Sequence, residues 1–135
     1  MLTYQITATS DSLGKSQALA NKTVLPFDAS NGRDSLLPNP AELLLTALAA
    51  CILKNIERYS IKLHIPYESA RISVNGTRSD IPPSMQEITY KVEIVSRAEE
   101  RKINLLHKNV IKFGTISNTL AQSCRLNGEF IKVKP

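Results

Sequence analysis

The stretch that most restricts this chain lies between Asn39 and Leu53. Asn39 suits a helix N-cap, Pro40 the first helical position, and Glu42 the third, where its carboxylate reaches back to the cap's backbone N–H. From Ala41 to Leu53 the residues are apolar almost all round, which predicts a helix over 40–59 that is buried on every side. The apolar run 43–53, interrupted only by Thr46, is far short of the ~20 residues that cross a bilayer, so it reads as a core helix and no membrane partner is expected. A small sheet covers one face of such a helix. In a chain of 135 residues the other face is expected to meet a second copy, making a homodimer.

Around this helix the pattern predicts strands. Leu2, Tyr4, Ile6 and Ala8 alternate with polar residues, the period of a strand with one buried face. A weaker extended segment covers 17–25 and is expected to stop at Pro26, and the Asp-, Ser-, Asn- and Gly-rich stretch 27–38 reads as a loop. Ile72 and Val74, then Ile88, Tyr90, Val92 and Ile94, alternate as two further strands. The polar connection 76–85, with Pro82-Pro83, is long for a hairpin and reads as a mobile flap. Ser96-Arg97-Ala98-Glu99 has the form of a capping box, and Ile103, Leu106, Val110 and Phe113 recur at helical spacing. Gly114 is expected to end that helix as a C-cap, a short helix to run from Thr115 or Ser117 to about Ser123, and a last strand to cover 129–134. The order makes the chain α+β, one domain over 1–135, with no βαβ nucleotide fold.

Composition narrows the function. Hydrophobic residues at 42% and charged residues at 21% are ordinary globular usage, which argues against a disordered or coiled-coil chain. The net charge of +5 is spread along the chain. Arg97, Arg101, Lys102, Lys108 and Lys112 around one helix read as a solvated face, partly balanced by Glu99 and Glu100, so no nucleic-acid partner is expected. The start of the chain has neither the basic opening nor the apolar stretch of a secretory signal, and the expectation is a cytoplasmic protein. Two cysteines and two histidines without CxxC or HxxxH spacing give neither a disulfide scaffold nor a metal site, and no cofactor motif is present. His64 and His107 read as packing or surface residues.

Cys51 is central in the apolar helix. It is either one more small hydrophobe or a reactive thiol, which requires a thiolate stabilised by a cation or hydrogen bonds. Lys54, at i+3, is a candidate cation or a lysine that snorkels to water. Glu42 is half a turn out of phase and ~13 Å along the axis, so within one subunit it is not expected to touch Cys51. Cys124, followed by Arg125, is a second candidate thiol.

The segment Pro38-Asn39-Pro40-Ala41-Glu42-Leu43-Leu44-Leu45-Thr46-Ala47-Leu48-Ala49-Ala50-Cys51 resembles the central helix of the OsmC/Ohr family, and Phe113-Gly114-Thr115-Ile116-Ser117-Asn118-Thr119-Leu120 resembles that family's second motif. The resemblance implies an intertwined homodimer, with an antiparallel sheet packed on a long buried central helix. It also implies organic hydroperoxide reduction with Cys51 as the attacking thiol, a second cysteine that captures the sulfenic acid, and a dithiol reductant. Three positions depart from the active members. Ala41 stands where the family's glutamate falls, with Glu42 one place late. Gly114 stands where the resolving cysteine precedes the second motif, and Cys124 lies ten residues on. The early-strand arginine is replaced at best by Lys15, with Arg33 in a different loop.

Two functions follow. One is thiol-dependent hydroperoxide reduction in oxidative stress defence, with Cys51 attacking and Cys124 or an external thiol resolving. The other is a non-catalytic protein binding a small apolar ligand in the dimer-interface cleft, which the small residues Ala41 and Gly114 are expected to leave drier and roomier.

Overall fold

In chain order the computed structural model, which describes residues 1–135, contains β1 (Ile6–Ser10), β2 (Lys15–Ala20), β3 (Thr23–Asp28), α1 (Pro40–Lys62), β4 (Ser69–Asp80), β5 (Pro83–Val95), α2 (Glu100–Lys112), α3 (Thr115–Ala121) and β6 (Arg125–Val133). The chain divides into two units, Met1–Leu44 and Leu45–Pro135.

The first unit is an antiparallel meander in the order β1-β2-β3. The turn between β2 and β3 carries Asn21 at φ 55°, a left-handed conformation that asparagine tolerates better than most residues. Pro26 does not stop the extended segment as expected. It lies within β3, paired with Gln17, and β3 is an edge strand where a missing N–H is tolerated. The expected buried face is also absent within the chain: Ile6, Leu19, Val24 and Leu25 are 58%, 50%, 54% and 45% exposed, and Leu2 and Tyr4 precede the strand altogether. The residues this unit buries are polar, Ser16 and Asp28. Asp28 organises the loop that follows, its carboxylate accepting hydrogen bonds from Ser30 N–H, Ser30 Oγ and Asp34 N–H at 2.9, 2.6 and 2.9 Å.

Helix α1 opens as its sequence predicts. Asn39 Oδ1 accepts from Glu42 N–H at 2.9 Å and Glu42 Oε1 accepts from Asn39 N–H at 3.0 Å. It closes at Lys62, where Ile65 N–H donates to Ser60 O at 2.8 Å and His64 N–H to Ile61 O at 3.3 Å. That pair of bonds is a Schellman motif, with His64 at φ 54° in the place usually taken by glycine and Ile65 buried behind it. The helix is not buried on every side by its own chain. It buries one stripe, Leu48, Ile52, Asn55, Ile56 and Ser60, while Leu44, Ala50 and Lys54 remain exposed.

In the second unit β4, β5 and β6 form a sheet, and Ile88, Tyr90, Val92 and Ile94 of β5 are buried with Leu48, Ile52 and Ile56 of α1 and Ile103, Leu106 and Val110 of α2. Two expectations are corrected here. Residues 76–85 are not a flap: past a register shift at Thr77/Arg78 the ladder continues through Arg78↔Met85, Ser79↔Ser84 and Asp80↔Pro83, leaving Ile81-Pro82 as the turn. This extension is mostly exposed, so its sequence carries little alternation. The sheet is also not purely antiparallel, because α2 and α3 carry the chain back and β6 runs parallel to β5.

Ser96 does not cap α2, which begins at Glu100 without a side-chain cap. The Ser96 hydroxyl is buried, donates to Pro66 O at 2.5 Å and accepts from Ala98 N–H at 3.0 Å. Phe113 is the C-cap of α2 and stacks on Tyr59 at 5.3 Å rather than entering the core. No helix is long and apolar enough to cross a membrane.

Candidate functional site

Cys51 sits beside the buried stripe of α1 and is only partly exposed. Its neighbour one turn on is Asn55, whose Nδ2 donates to Cys51 Sγ at 3.7 Å and which is itself 5% exposed. The junction of α2 and α3 approaches from the other element. A Cβ at Gly114 would stand 3.2 Å from Cys51 Sγ, 3.1 Å from Val110 O and 2.3 Å from Ser117 Oγ. Gly114 has φ −82°, which any residue adopts, so glycine is needed there for space rather than for backbone freedom. It is not the expected C-cap of α2, since Phe113 takes that place; Gly114 is the N-cap residue of α3, with Asn118 N–H donating to its carbonyl at 2.9 Å. Ser117 Oγ, which donates to the carbonyls of Ile111 and Gly114 at 3.1 Å each, crowds the space a side chain would take. The extra room expected from Gly114 is therefore not there.

The other sequence candidates are held elsewhere. Lys54 is exposed, and the polar partner of the Cys51 sulfur is Asn55. Cys124 is also a free, partly buried thiol, packed against the core with its Sγ donating to Leu120 O at 3.4 Å, so the two sulfurs have different partners and form no disulfide. Glu42, besides closing the cap, meets Arg33 at 2.6 Å, an ion pair between half-exposed side chains. Arg33 thus reaches the start of α1 although it lies in a separate loop. The Asn39 backbone N–H, then Arg33, hold the Glu42 carboxyl below the ordinary glutamate range.

A second polar group lies in the same unit. Tyr90 Oη and His107 Nε2 are 2.6 Å apart, and His107 stacks on Phe130 at 4.2 Å. Gly128, paired with Tyr90 across the parallel strands, makes room for that ring, since a Cβ there would fall 2.3 Å from it. Burial pushes Tyr90 up to about 12 and His107 below its ordinary value. Tyr90 and His107 edge an open groove of about 430 Å³ with Asn104, Lys108, Ile111 and Lys112. No cluster of three His, Cys, Asp or Glu side chains stands ready for a metal ion.

Sequence reasoning missed Asn55, the Arg33–Glu42 pair and the Tyr90–His107 pair. Only Asn55 had a local signal, its i+4 spacing from Cys51.

Residues 32–129 match the family model described as OsmC-like protein. An OsmC-like protein from Mycoplasma pneumoniae superposes with a TM-score of 0.90 at 25% identity, covering 98% of each chain. The organic hydroperoxide resistance protein OsmC from Legionella pneumophila shares the fold at 14% identity and TM-score 0.76, over 98% of this chain and 100% of that one. The organic hydroperoxide resistance protein OhrB of Bacillus subtilis does so at 17% and 0.69, over 96% and 98%. No curated protein matches in sequence.

Proposed function

This chain belongs to the OsmC-like family, and from that premise we propose that it is a homodimeric thiol peroxidase that reduces organic hydroperoxides through Cys51. The observation that carries the reading is the Cys51 sulfur itself: it is partly exposed and faces a buried amide donor rather than hydrocarbon alone. The names of the Legionella pneumophila and Bacillus subtilis relatives point to the same substrate class.

In the proposed reaction the Cys51 thiolate attacks the terminal oxygen of ROOH. The O–O bond breaks, an S–O bond forms, and the alkoxide takes a proton to leave as ROH. One thiol of a dithiol reductant, or Cys124, then displaces water from the sulfenic acid to give a disulfide. Where the reductant formed that disulfide, its second thiol displaces Cys51; where Cys124 formed it, one reductant thiol displaces Cys51 to leave a mixed disulfide on Cys124, and the other then displaces Cys124. The sum is ROOH plus dithiol giving ROH, water and an oxidised dithiol. The chemistry requires a compartment that keeps both cysteines reduced, as the cytoplasm does.

A second copy is part of the proposal because the first unit buries no apolar side chain while exposing Ile6, Leu19, Val24 and Leu25. A three-stranded sheet is stable when a hydrophobic face is covered. Reduced protein is expected to turn over cumene hydroperoxide with a dithiol; turnover no greater than that of Cys51→Ser would refute the reading.

A further inference from the structure

Asn55 is an anomaly in its place. It occupies the buried stripe of α1 between Ile52 and Ile56, both essentially inaccessible, and is itself 5% exposed. Burying an amide without a good partner costs about 1–3 kcal/mol in proteins. The one acceptor its Nδ2 finds is Cys51 Sγ, at 3.7 Å. A neutral thiol is a weak acceptor and returns little of that cost. A thiolate is a charged acceptor, and hydrogen bonds to ionised groups are roughly twice as strong as neutral ones. The amide is therefore well matched to one protonation state of its neighbour and poorly matched to the other. Lys54, the nearest cation in sequence, is exposed and leaves this task to Asn55.

We propose that the Asn55 carboxamide is the thiolate-stabilising group of this site, donating through Nδ2 to the Cys51 sulfur and favouring its ionised, attacking form. The inference rests on the reading of Cys51 as the reactive thiol. It assigns to a neutral amide on the same helix work that a cation from another segment would otherwise do. It also carries an unusual pairing of effects, because an apolar residue of similar size fits the stripe better while removing the donor: Asn55→Leu trades reactivity for stability.

The test uses the full-length reduced protein. Cys51 alkylation by iodoacetamide, followed at that site by mass spectrometry, is expected to be at least 10-fold slower at pH 7 in Asn55→Leu than in the unmodified chain. At pH 10.5, where thiolate forms without help, the two rates are expected to agree within about 2-fold. Thermal unfolding of Asn55→Leu is expected at the same or a higher temperature. Asn55→Ala carries the same expectation for the rates, so the result does not hang on the folding of one variant. Equal rates at pH 7, or a loss of the same size at both pH values, would overturn the proposal. If the unmodified protein fails to turn over hydroperoxide yet Asn55→Leu slows alkylation only at pH 7, the peroxidase reading falls and the role of Asn55 stands. If it turns over and Asn55→Leu matches it in both assays, the role of Asn55 falls alone.

Discussion

Replacing Gly114 with cysteine is expected to create a disulfide that the natural chain lacks. A Cβ built at position 114 lies 3.2 Å from Cys51 Sγ, and in an unstrained disulfide the Cβ of one cysteine stands about 3 Å from the sulfur of the other. The obstacle is Ser117 Oγ, 2.3 Å from that Cβ, so the variant to make is Gly114→Cys with Ser117→Ala. Removing the hydroxyl forfeits its bonds to two carbonyls, a loss of about 1 kcal/mol. Closing a loop of about 60 residues stabilises by about 4 kcal/mol in the chain-entropy model. The oxidised double variant should then unfold some 10–20 °C above its own reduced form, using about 3–5 °C per kcal/mol for a chain of this size. Val110 O at 3.1 Å is backbone and gives little, so strain trims the figure. Intact mass should fall by about 2 Da on oxidation, with peptide mapping joining positions 51 and 114. A variant that keeps all its thiols free under mild oxidant, or that joins position 114 to Cys124, would refute the placement of the α2–α3 junction against the Cys51 sulfur.

Further expectations follow from the same geometry. His64→Gly should stabilise by about 1 kcal/mol, read from urea unfolding, because it relieves a left-handed residue at the end of α1; unchanged or lower stability would contradict the Schellman end. Asn39→Ala should destabilise by about 1 kcal/mol through loss of the α1 cap, and an effect below a few tenths would argue against it. His107 titrates below its ordinary value in the folded protein, so below about pH 6.5 the unfolded chain binds the extra proton and stability falls with falling pH. Tyr90, raised to about 12, has the opposite slope: between about pH 10 and 12 the unfolded chain loses its proton first and stability falls as pH rises. Tyr90→Phe should flatten the alkaline slope, and unfolding midpoints measured across both ranges check each sign.

What was legible in the sequence was local. The Asn39–Glu42 reciprocal cap needs four consecutive residues and forms as read. The alternation of Ile88, Tyr90, Val92 and Ile94 marks a strand wet on one face, and all four are buried. Reading failed where local form had a distant partner. Ser96 looked like a helix cap, but its hydroxyl is satisfied by Pro66 O, thirty residues away. Residues 76–85 looked like a flap because hairpin residues exposed on both faces need no apolar alternation. The direction of β6 depends on how two helices carry the chain back, which no single segment encodes. At the site, the motif located Cys51, while its surroundings were out of reach: Gly114 is crowded by the hydroxyl of Ser117, three residues on, and by the sulfur of Cys51, and the second contact joins segments far apart in sequence. Asn55 was hidden for another reason, since it stands beside Lys54 and just before Glu57 and Arg58, all three exposed, and so reads as part of the wet end of the helix.

The most direct test of the thiol chemistry is to treat reduced protein with one equivalent of cumene hydroperoxide in the presence of dimedone, and to find the adduct by mass spectrometry. Dimedone attached at Cys51, formed in proportion to cumyl alcohol released, is the predicted result. Hydroperoxide left intact, or an adduct confined to Cys124, would contradict the assignment of Cys51 as the attacking sulfur.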